Sequence, residues 1–269
     1  VINEEPIPVE LTYAGQEVSV TSTSVSVYNE RQKVLVKLFK DLEKDELFEI
    51  GTGDEILNVY FALYAAEDLT AADGSMIPAD GLIEVAGVQA DGTLTFSADL
   101  PIGSYYVKEY STNEHYLISD ETYPVVFEYG GQDTAVVEIV VNDGDAILNQ
   151  IIRGSISGIK VDETGEPLPG AVFGLFKADC TEFTAENAIL TAESAEDGSF
   201  SFTDVPYGIW QIKEISTVDG YVLSDEIFEV QIDEDGQVIE LGNIENKPIT
   251  GTVQTTKVDK NYPENKLSG

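Results

Sequence analysis

Short runs that alternate apolar with polar residues dominate the chain. Val34–Phe39, Asn58–Tyr64, Tyr105–Tyr110, Tyr123–Tyr129 and Ala135–Val141 are rich in Val, Ile, Tyr and Phe. Similar runs return at Ser155–Val161, Ala171–Phe176, Phe200–Thr203, Ile209–Ile215, Ile227–Ile232 and Val238–Gly242. Turn-forming groups such as Asp91-Gly92, Gly130-Gly131 and Asn142-Asp143-Gly144 lie between or beside them. β-Branched and aromatic runs closed off by Gly, Asn and Asp predict strands. Helix-like patterning is confined to Ala65–Ala72 and Thr184–Leu190. The pattern predicts an all-β chain of sandwich type.

An internal repeat sets the domain organisation. YVKEYSTNEHYLISDE (Tyr106–Glu121) matches QIKEISTVDGYVLSDE (Gln211–Glu226) without a gap. Upstream, DGTLTF at Asp91 pairs with DGSFSF at Asp197, and PIG at Pro101 with PYG at Pro206. FALYAAED (Phe61–Asp68) pairs with FGLFKAD (Phe173–Asp179). The ends match parts of the same unit: Pro8–Val20 resembles Pro124–Val136, and Gly251–Gly269 resembles Gly154–Gly170. The expected organisation is two complete units, residues 33–153 and 154–250. Residues 1–32 are expected to be the last strands of a preceding unit, and 251–269 the first strand of a following one. The chain then reads as an interior segment of a longer tandem array.

Composition narrows the function. Fourteen Lys and Arg against fifty Asp and Glu give a net charge of −36. Such a chain repels phosphate backbones and anionic lipid, which argues against a nucleic-acid partner and against membrane docking. A hydrophobic content of 42% is enough for a packed core. The single Cys, Cys180, excludes an internal disulfide or a Cys-cluster metal site, and the single His, His115, excludes sites that need several. No run reaches membrane-spanning length and no basic-then-apolar leader opens the chain. A redox enzyme or hydrolase of familiar type is not expected, and no cofactor is expected.

Alternation points a few polar groups at the core. Tyr105, Val107 and Glu109 share one strand face, as do Trp210, Ile212 and Glu214, while Lys108 and Lys213 face water. Asn246 lies on the face of Ile244, Asn149 follows Ile147, and Asn29 follows Val25 and Val27 in the same way. Each opening strand carries a lysine: Lys37 between Leu35 and Phe39, Lys160 in SGIKVDE, Lys257 in QTTKVDK. A buried carboxylate tends to stay protonated and a buried lysine tends to stay neutral. A protonated Glu that hydrogen-bonds the Asn amide oxygen would polarise its carbonyl, and a neutral amine held against that carbon would expel ammonia and leave a Lys–Asn isopeptide bond. The same residues also suit a hydrogen-bonded polar cluster in which no bond forms, or exposed positions for some of them.

Four segments carry a family resemblance: Lys160–Asp179 (KVDETGEPLPGAVFGLFKAD), Tyr207–Glu214 (YGIWQIKE), Asp219–Glu226 (DGYVLSDE) and Asn246–Gly251 (NKPITG). They resemble the B-type repeat domains of Gram-positive collagen-binding adhesins and the related SpaA-type pilin domains. The resemblance covers the second unit fully, and the first with an insertion near Glu43–Asp54 and a longer middle around Leu69–Val88. It implies tandem transthyretin-like, inverse immunoglobulin (CnaB-type) β-sandwich domains. It further implies an autocatalytic Lys–Asn bond between first and last strands, promoted by a Glu. Carried over residue by residue, the second unit would use Lys160, Glu214 and Asn246. The first would use Lys37, Glu109 and Asn149, although VKLFKD also offers Lys40, and Asn243 is a rival to Asn246. Asn29 and Lys257 would belong to the flanking partial domains and stay unlinked. Glu109 and Glu214 then act once each, within their own chain, so the protein is not expected to be an enzyme.

Other signals have plainer readings. Cys180 reads as a tolerated lone thiol and His115 as a surface residue in a polar turn. Asp233–Gly236 and Asn142–Asp145 lack the spacing of a calcium loop and read as β-turns, so no metal site is expected. NYPENK (Asn261–Lys266) has Glu264 where a pilin polymerisation motif needs Lys. The expected function is a stalk segment of a cell-wall-attached, extracellular surface adhesin. Its partners would be the neighbouring repeat domains in the same chain. The alternatives are a module that binds a host extracellular-matrix protein or glycan, and a pilin subunit. A Leu-Pro-x-Thr-Gly anchor is absent, as expected of an interior piece.

Overall fold

The computed structural model describes residues 5–11, 15–17, 22–27, 31–71, 73–264 and 266. The chain divides into two compact units, Val1–Ile151 and Ile152–Gly269. The fold is nearly all β, as the alternation requires. No helix among the described residues is long and apolar enough to cross a membrane.

The first unit contains β1 (Lys33–Leu42), β2 (Tyr60–Ala65), β3 (Leu69–Thr70), β4 (Met76–Ile77), β5 (Leu82–Gly87), β6 (Thr93–Phe96), β7 (Gly103–Ser111), β8 (Thr122–Phe127), β9 (Val136–Val140) and β10 (Ile147–Asn149). One sheet is built on β1, which pairs antiparallel with β6 and parallel with both β9 and β10. The other runs β5-β2-β7-β8, and β3 and β4 form a separate hairpin. Between the sheets, Val36, Leu38, Phe61, Leu63, Leu94, Phe96, Tyr105, Val107, Val125 and Phe127 form the core.

The second unit repeats this plan with β11 (Arg153–Asp162), β12 (Val172–Lys177), β13 (Leu190–Glu193), β14 (Ser199–Pro206), β15 (Gly208–Ser216), β16 (Ile227–Ile232) and β17 (Gln237–Asn246). Its sheets are β14-β11-β17 and β13-β12-β15-β16. Phe173 and Phe200 stack across the core with ring centroids 3.8 Å apart, beside Ile156, Leu175, Trp210, Ile212 and Ile244. The same anchor recurs in both units: Tyr105 Oη donates to the Pro101 carbonyl (2.5 Å), and Trp210 Nε1 to that of Pro206 (2.9 Å).

Among the described residues neither helix-like segment forms a helix. Ala65 ends β2, and the chain then turns because the Asp68 and Asp73 carboxylates take the backbone N–H groups of Ala79 and Ser75. Short acidic side chains compete with helix formation in this way. After Thr184 a single turn forms, with Ala188 N–H on the Thr184 carbonyl. Ile189 N–H then bonds Leu175 O and draws the chain back to the sheet.

Candidate cross-linking site

In both units the first and last strands are parallel neighbours, and their register brings a Lys and an Asn together. Lys40 lies opposite Ile147 and Leu42 opposite Asn149. Lys160 lies opposite Ile244 and Asp162 opposite Asn246. Each Lys is therefore a diagonal neighbour of its Asn on one face, within reach of a long side chain. Gly92 and Gly198 hold the lysine backbone from the other side. Each takes a left-handed φ (+80° and +77°), and each carbonyl accepts the lysine N–H, at 2.8 and 2.7 Å. A Cβ added at either glycine would lie 2.6 or 2.3 Å from the lysine carbonyl oxygen, so only glycine fits.

Lys160, Glu214 and Asn246 are all within 1% of complete burial. Lys160 Nζ donates to the Ile244 carbonyl at 2.7 Å. Asn246 Nδ2 donates to both carboxylate oxygens of Glu214 (2.8 and 2.9 Å) and to Thr217 Oγ1 (2.6 Å). The Ser224 backbone N–H pins Glu214 Oε2 at 2.9 Å.

The first unit repeats the arrangement with Lys40. Its Nζ donates to the carbonyls of Asp41 (2.6 Å) and Ile147 (2.8 Å). Asn149 Nδ2 donates to Glu109 Oε1 (2.7 Å) and Thr112 Oγ1 (2.9 Å), and Ser119 N–H holds Glu109 Oε2 at 2.7 Å. In both units the segment beyond the turn closes over the site, with Leu117 N–H on Gln150 O and Val222 N–H on Lys247 O.

The expectation for Lys37 is corrected. Its side chain is 37% exposed and pairs with Glu138 at 2.9 Å on the solvent side, whereas Lys40 is 3% exposed. The even-numbered residues Val36, Leu38, Lys40 and Leu42 form the core face of β1. Apolar residues on both faces hid that parity in the sequence. Asn243, the rival to Asn246, is exposed. Lys257 is also exposed, and Asn29 lies outside the described residues. The carboxyl was expected to meet the amide oxygen; it meets the amide nitrogen instead. Oδ1 of Asn149 and of Asn246 is buried without a hydrogen-bond partner among the described residues.

Burial sets the electrostatics. It pulls the Lys40 amine down from 10.5 to about 8, against the charges of Glu109 and Asp41, which favour the ammonium. Burial likewise lowers Lys160, against Glu214, Glu245 and Glu226. Burial raises Glu109, while the Ser119 N–H, Asn149 and Lys40 pull it back. Each site thus holds an amine that sheds its proton easily beside a carboxyl and a carboxamide, and the first unit's carboxyl also keeps its proton more readily than usual.

Sequence reasoning missed Thr112, Thr217, Ser119 and Ser224. The signal was present: all four lie inside the longest ungapped repeat, at the same offsets from each Glu.

Two layered sheets per unit, with first and last strands paired in parallel, define a tandem prealbumin-like protein. The SpaA family model, a prealbumin-like fold domain, matches residues 48–144 and 154–247, and the chain belongs to that family. A search of curated proteins finds no match. Among solved structures, the Bacillus anthracis TIE protein is similar at 23% identity and a TM-score of 0.55, over 81% of this chain and 34% of that one. At that identity the likeness is one of fold, and this chain spans about a third of that protein. GBS52, the minor pilin of Streptococcus agalactiae, aligns at 19% identity over 84% of this chain and 100% of its own, with a TM-score of 0.35. A C-terminal fragment of the pilus adhesin SpaC from Lactobacillus rhamnosus GG aligns at 14% identity over 83% of this chain and 100% of its own, with a TM-score of 0.49.

Proposed function

We propose that the chain is a stalk segment of a Gram-positive surface adhesin or pilin, attached to the cell wall, in which each unit closes an intramolecular isopeptide bond. The bonds are Lys40–Asn149, promoted by Glu109, and Lys160–Asn246, promoted by Glu214. The observation that carries this reading is the complete burial of Lys160, Glu214 and Asn246 together, with Asn246 hydrogen-bonded to Glu214 and the Lys160 amine held on the carbonyl of Ile244, two residues before Asn246. An unreacted buried amine beside a carboxyl is a costly arrangement, and amide formation removes it.

The reaction balances within each unit. The neutral lysine amine attacks Asn Cγ, and the Cγ–Nδ2 bond breaks. The carboxyl gives its proton to the departing nitrogen and takes the proton that the lysine nitrogen loses, so ammonia is the only product besides the amide. Contact in a closed core supplies the effective concentration that an amide acceptor needs.

The bond suits a stalk because of where it lies. In the second unit a pulling force would enter β11, cross from Lys160 to Asn246 and leave by the end of β17. Strands β12–β16 lie inside the covalent loop and outside the force path. Residues 1–32 and 251–269, with Asn29 and Lys257, are read as parts of flanking units in the same array. Intact mass of the denatured chain tests the reading. It should be two ammonias lighter than the sequence requires; the unmodified mass would leave the family and the fold but remove the cross-links.

A second reading, binding of a host matrix protein or glycan, is favoured by one feature of the first unit. Tyr64 and Tyr106 stack at 5.1 Å on the solvent side of β2 and β7, with Tyr60 exposed on the same strand face. Retention of the purified chain on immobilised collagen or a glycan array, lost in Tyr106→Ala, would support it.

A further inference from the structure

We infer that Thr112 and Thr217 are further functional residues of the cross-linking reaction: each hydroxyl cradles the amide nitrogen that leaves as ammonia. The inference rests on the proposed isopeptide chemistry and adds to it a group that spacing alone does not suggest. In a regular strand, residues three apart point to opposite faces. Thr112 follows Glu109 by three positions and Thr217 follows Glu214 by three, so alternation alone would turn each hydroxyl away from its carboxylate.

A β-bulge reverses that parity in both units. On β2, Tyr60 pairs with Ser111 and its neighbour Phe61 with Glu109, which leaves Tyr110 as an extra residue on β7. On β12, Val172 pairs with Ser216 and Phe173 with Glu214, which leaves Ile215 extra on β15. The bulge sits between the Glu and the Thr and brings both onto the same Asn carboxamide. The strands end at Ser111 and Ser216, and the next residue in each is the threonine. Its oxygen lies 2.9 Å from Asn149 Nδ2 in one unit and 2.6 Å from Asn246 Nδ2 in the other.

The two acceptors account for both hydrogens of the amide nitrogen, one on Glu and one on Thr. This fixes the plane of the carboxamide before reaction. During reaction the same contact changes in strength. An amide nitrogen is a neutral donor, whereas a nitrogen accepting a proton on its way to ammonia carries positive charge. Its hydrogen bond to the threonine oxygen therefore tightens in the transition state, which is the condition for lowering a barrier. The threonine neither gains nor loses a proton overall.

The test uses the whole chain, made in a cell-free system and sampled over time for intact mass and for the cross-linked peptide of each unit. Thr217→Val keeps the shape and removes the hydroxyl. It should slow bond formation in the second unit by about ten- to a hundredfold, as expected for a lost hydrogen bond to a charged group. The first unit of the same molecules serves as the internal clock. Thr217→Ser, which restores the oxygen, should recover most of the rate. Thr112→Val and Thr112→Ser should repeat the pattern in the first unit. A melting temperature is measured for each pair on a Lys160→Ala or Lys40→Ala background, where no bond forms. A merely structural threonine would change melting without changing rate. Thr217→Val forming its bond at the parental rate would overturn the threonine's role alone, whereas a parent chain that never loses ammonia would overturn the cross-link and this role with it.

Discussion

The two units reach the same site by different routes along their last strand. In the second unit β17 is continuous and absorbs one extra residue near Gly242, whose φ is +73°. In the first unit the equivalent strand is broken into β9 and β10 by a tight turn at Val141–Gly144, with left-handed Asn142 and Asp143. Lys37 pairs with Val140, and three residues later Lys40 pairs with Ile147. Different lengths of chain are looped out, yet the lysine, the Ile opposite it and the Asn two residues on fall in the same register. The position of the acceptor is therefore set by the final short stretch of parallel pairing.

The outer faces differ more. Phe176 in the second unit corresponds to Tyr64 in the first, and it is fully buried beneath Phe183, which meets it edge-on at 5.0 Å. The absence of a side chain at Gly174 makes room for that ring, since a Cβ there would lie 2.5 Å from it. In the first unit the Tyr64–Tyr106 stack occupies the matching place at the surface, and Tyr106 Oη donates to Asp80 at 3.1 Å. The inner chemistry is duplicated while the outer surface has diverged, as expected if the core closes the clamp and the surface meets different neighbours.

The largest expected effects test whether the two sites are equivalent. Glu109→Ala and Glu214→Ala should each give a chain that, once the mass of the substitution is allowed for, retains one ammonia more than the parent, with the missing cross-link assigned by peptide mapping to the altered unit. Lys40→Ala should do the same in the first unit. By the model used for disulfides, losing a link that closes a loop of about 100 residues costs roughly 4–5 kcal/mol, read as a lower denaturation midpoint. If Lys37→Ala removed the first unit's bond and Lys40→Ala did not, the assignment from burial would be wrong.

Next is pH. In the proposed reaction the reactive form of the first site is a neutral Lys40 beside a protonated Glu109, which carries the same number of protons as an ammonium beside a carboxylate. The pair titrates as a unit, so the rate should be level across the interval between its two transitions. Because burial lowers Lys40 to about 8, the pair loses its last proton there, and the rate should fall about tenfold per pH unit above that point. A rate that climbed through pH 8 and levelled would show that the carboxylate acts as a base with no proton of its own. A smaller change is expected at the shared anchor. Tyr105→Phe removes the bond to the Pro101 carbonyl and should cost about 1 kcal/mol in chemical denaturation. The smallest is Lys37→Ala. It breaks only the exposed pair with Glu138 and should cost less than about 1 kcal/mol, with no change in mass beyond the substitution itself.

Much of this was legible in the residues. Alternation placed Glu109, Glu214 and Asn246 on core-facing positions because the neighbours on those faces are apolar and the opposite faces carry Lys or Glu. It failed at Lys37 because both faces of β1 are apolar, and period-two patterning has no contrast to read in such a strand. It also passed over the threonines, since a bulge cannot be seen in a pattern that assumes a fixed period. The helix-like pieces misled because alanine-rich spacing carries no record of the carboxylates that capture the backbone after Ala65, or of the strand that captures Ile189 in the second unit.

The sequence by itself determined the all-β class, the duplication and the kind of chemistry available: a lysine, a carboxyl and a carboxamide in each repeat. Those follow from composition and local periodicity, which belong to the chain whatever its fold. Only the tertiary structure decided that Lys40 and not Lys37 faces Asn149, that the carboxyl meets the amide nitrogen, and that a threonine shares it. Those are matters of register and of one extra residue in a strand. A shift of a single residue turns every side chain to the other face, so pairing between strands distant in sequence decides which groups meet.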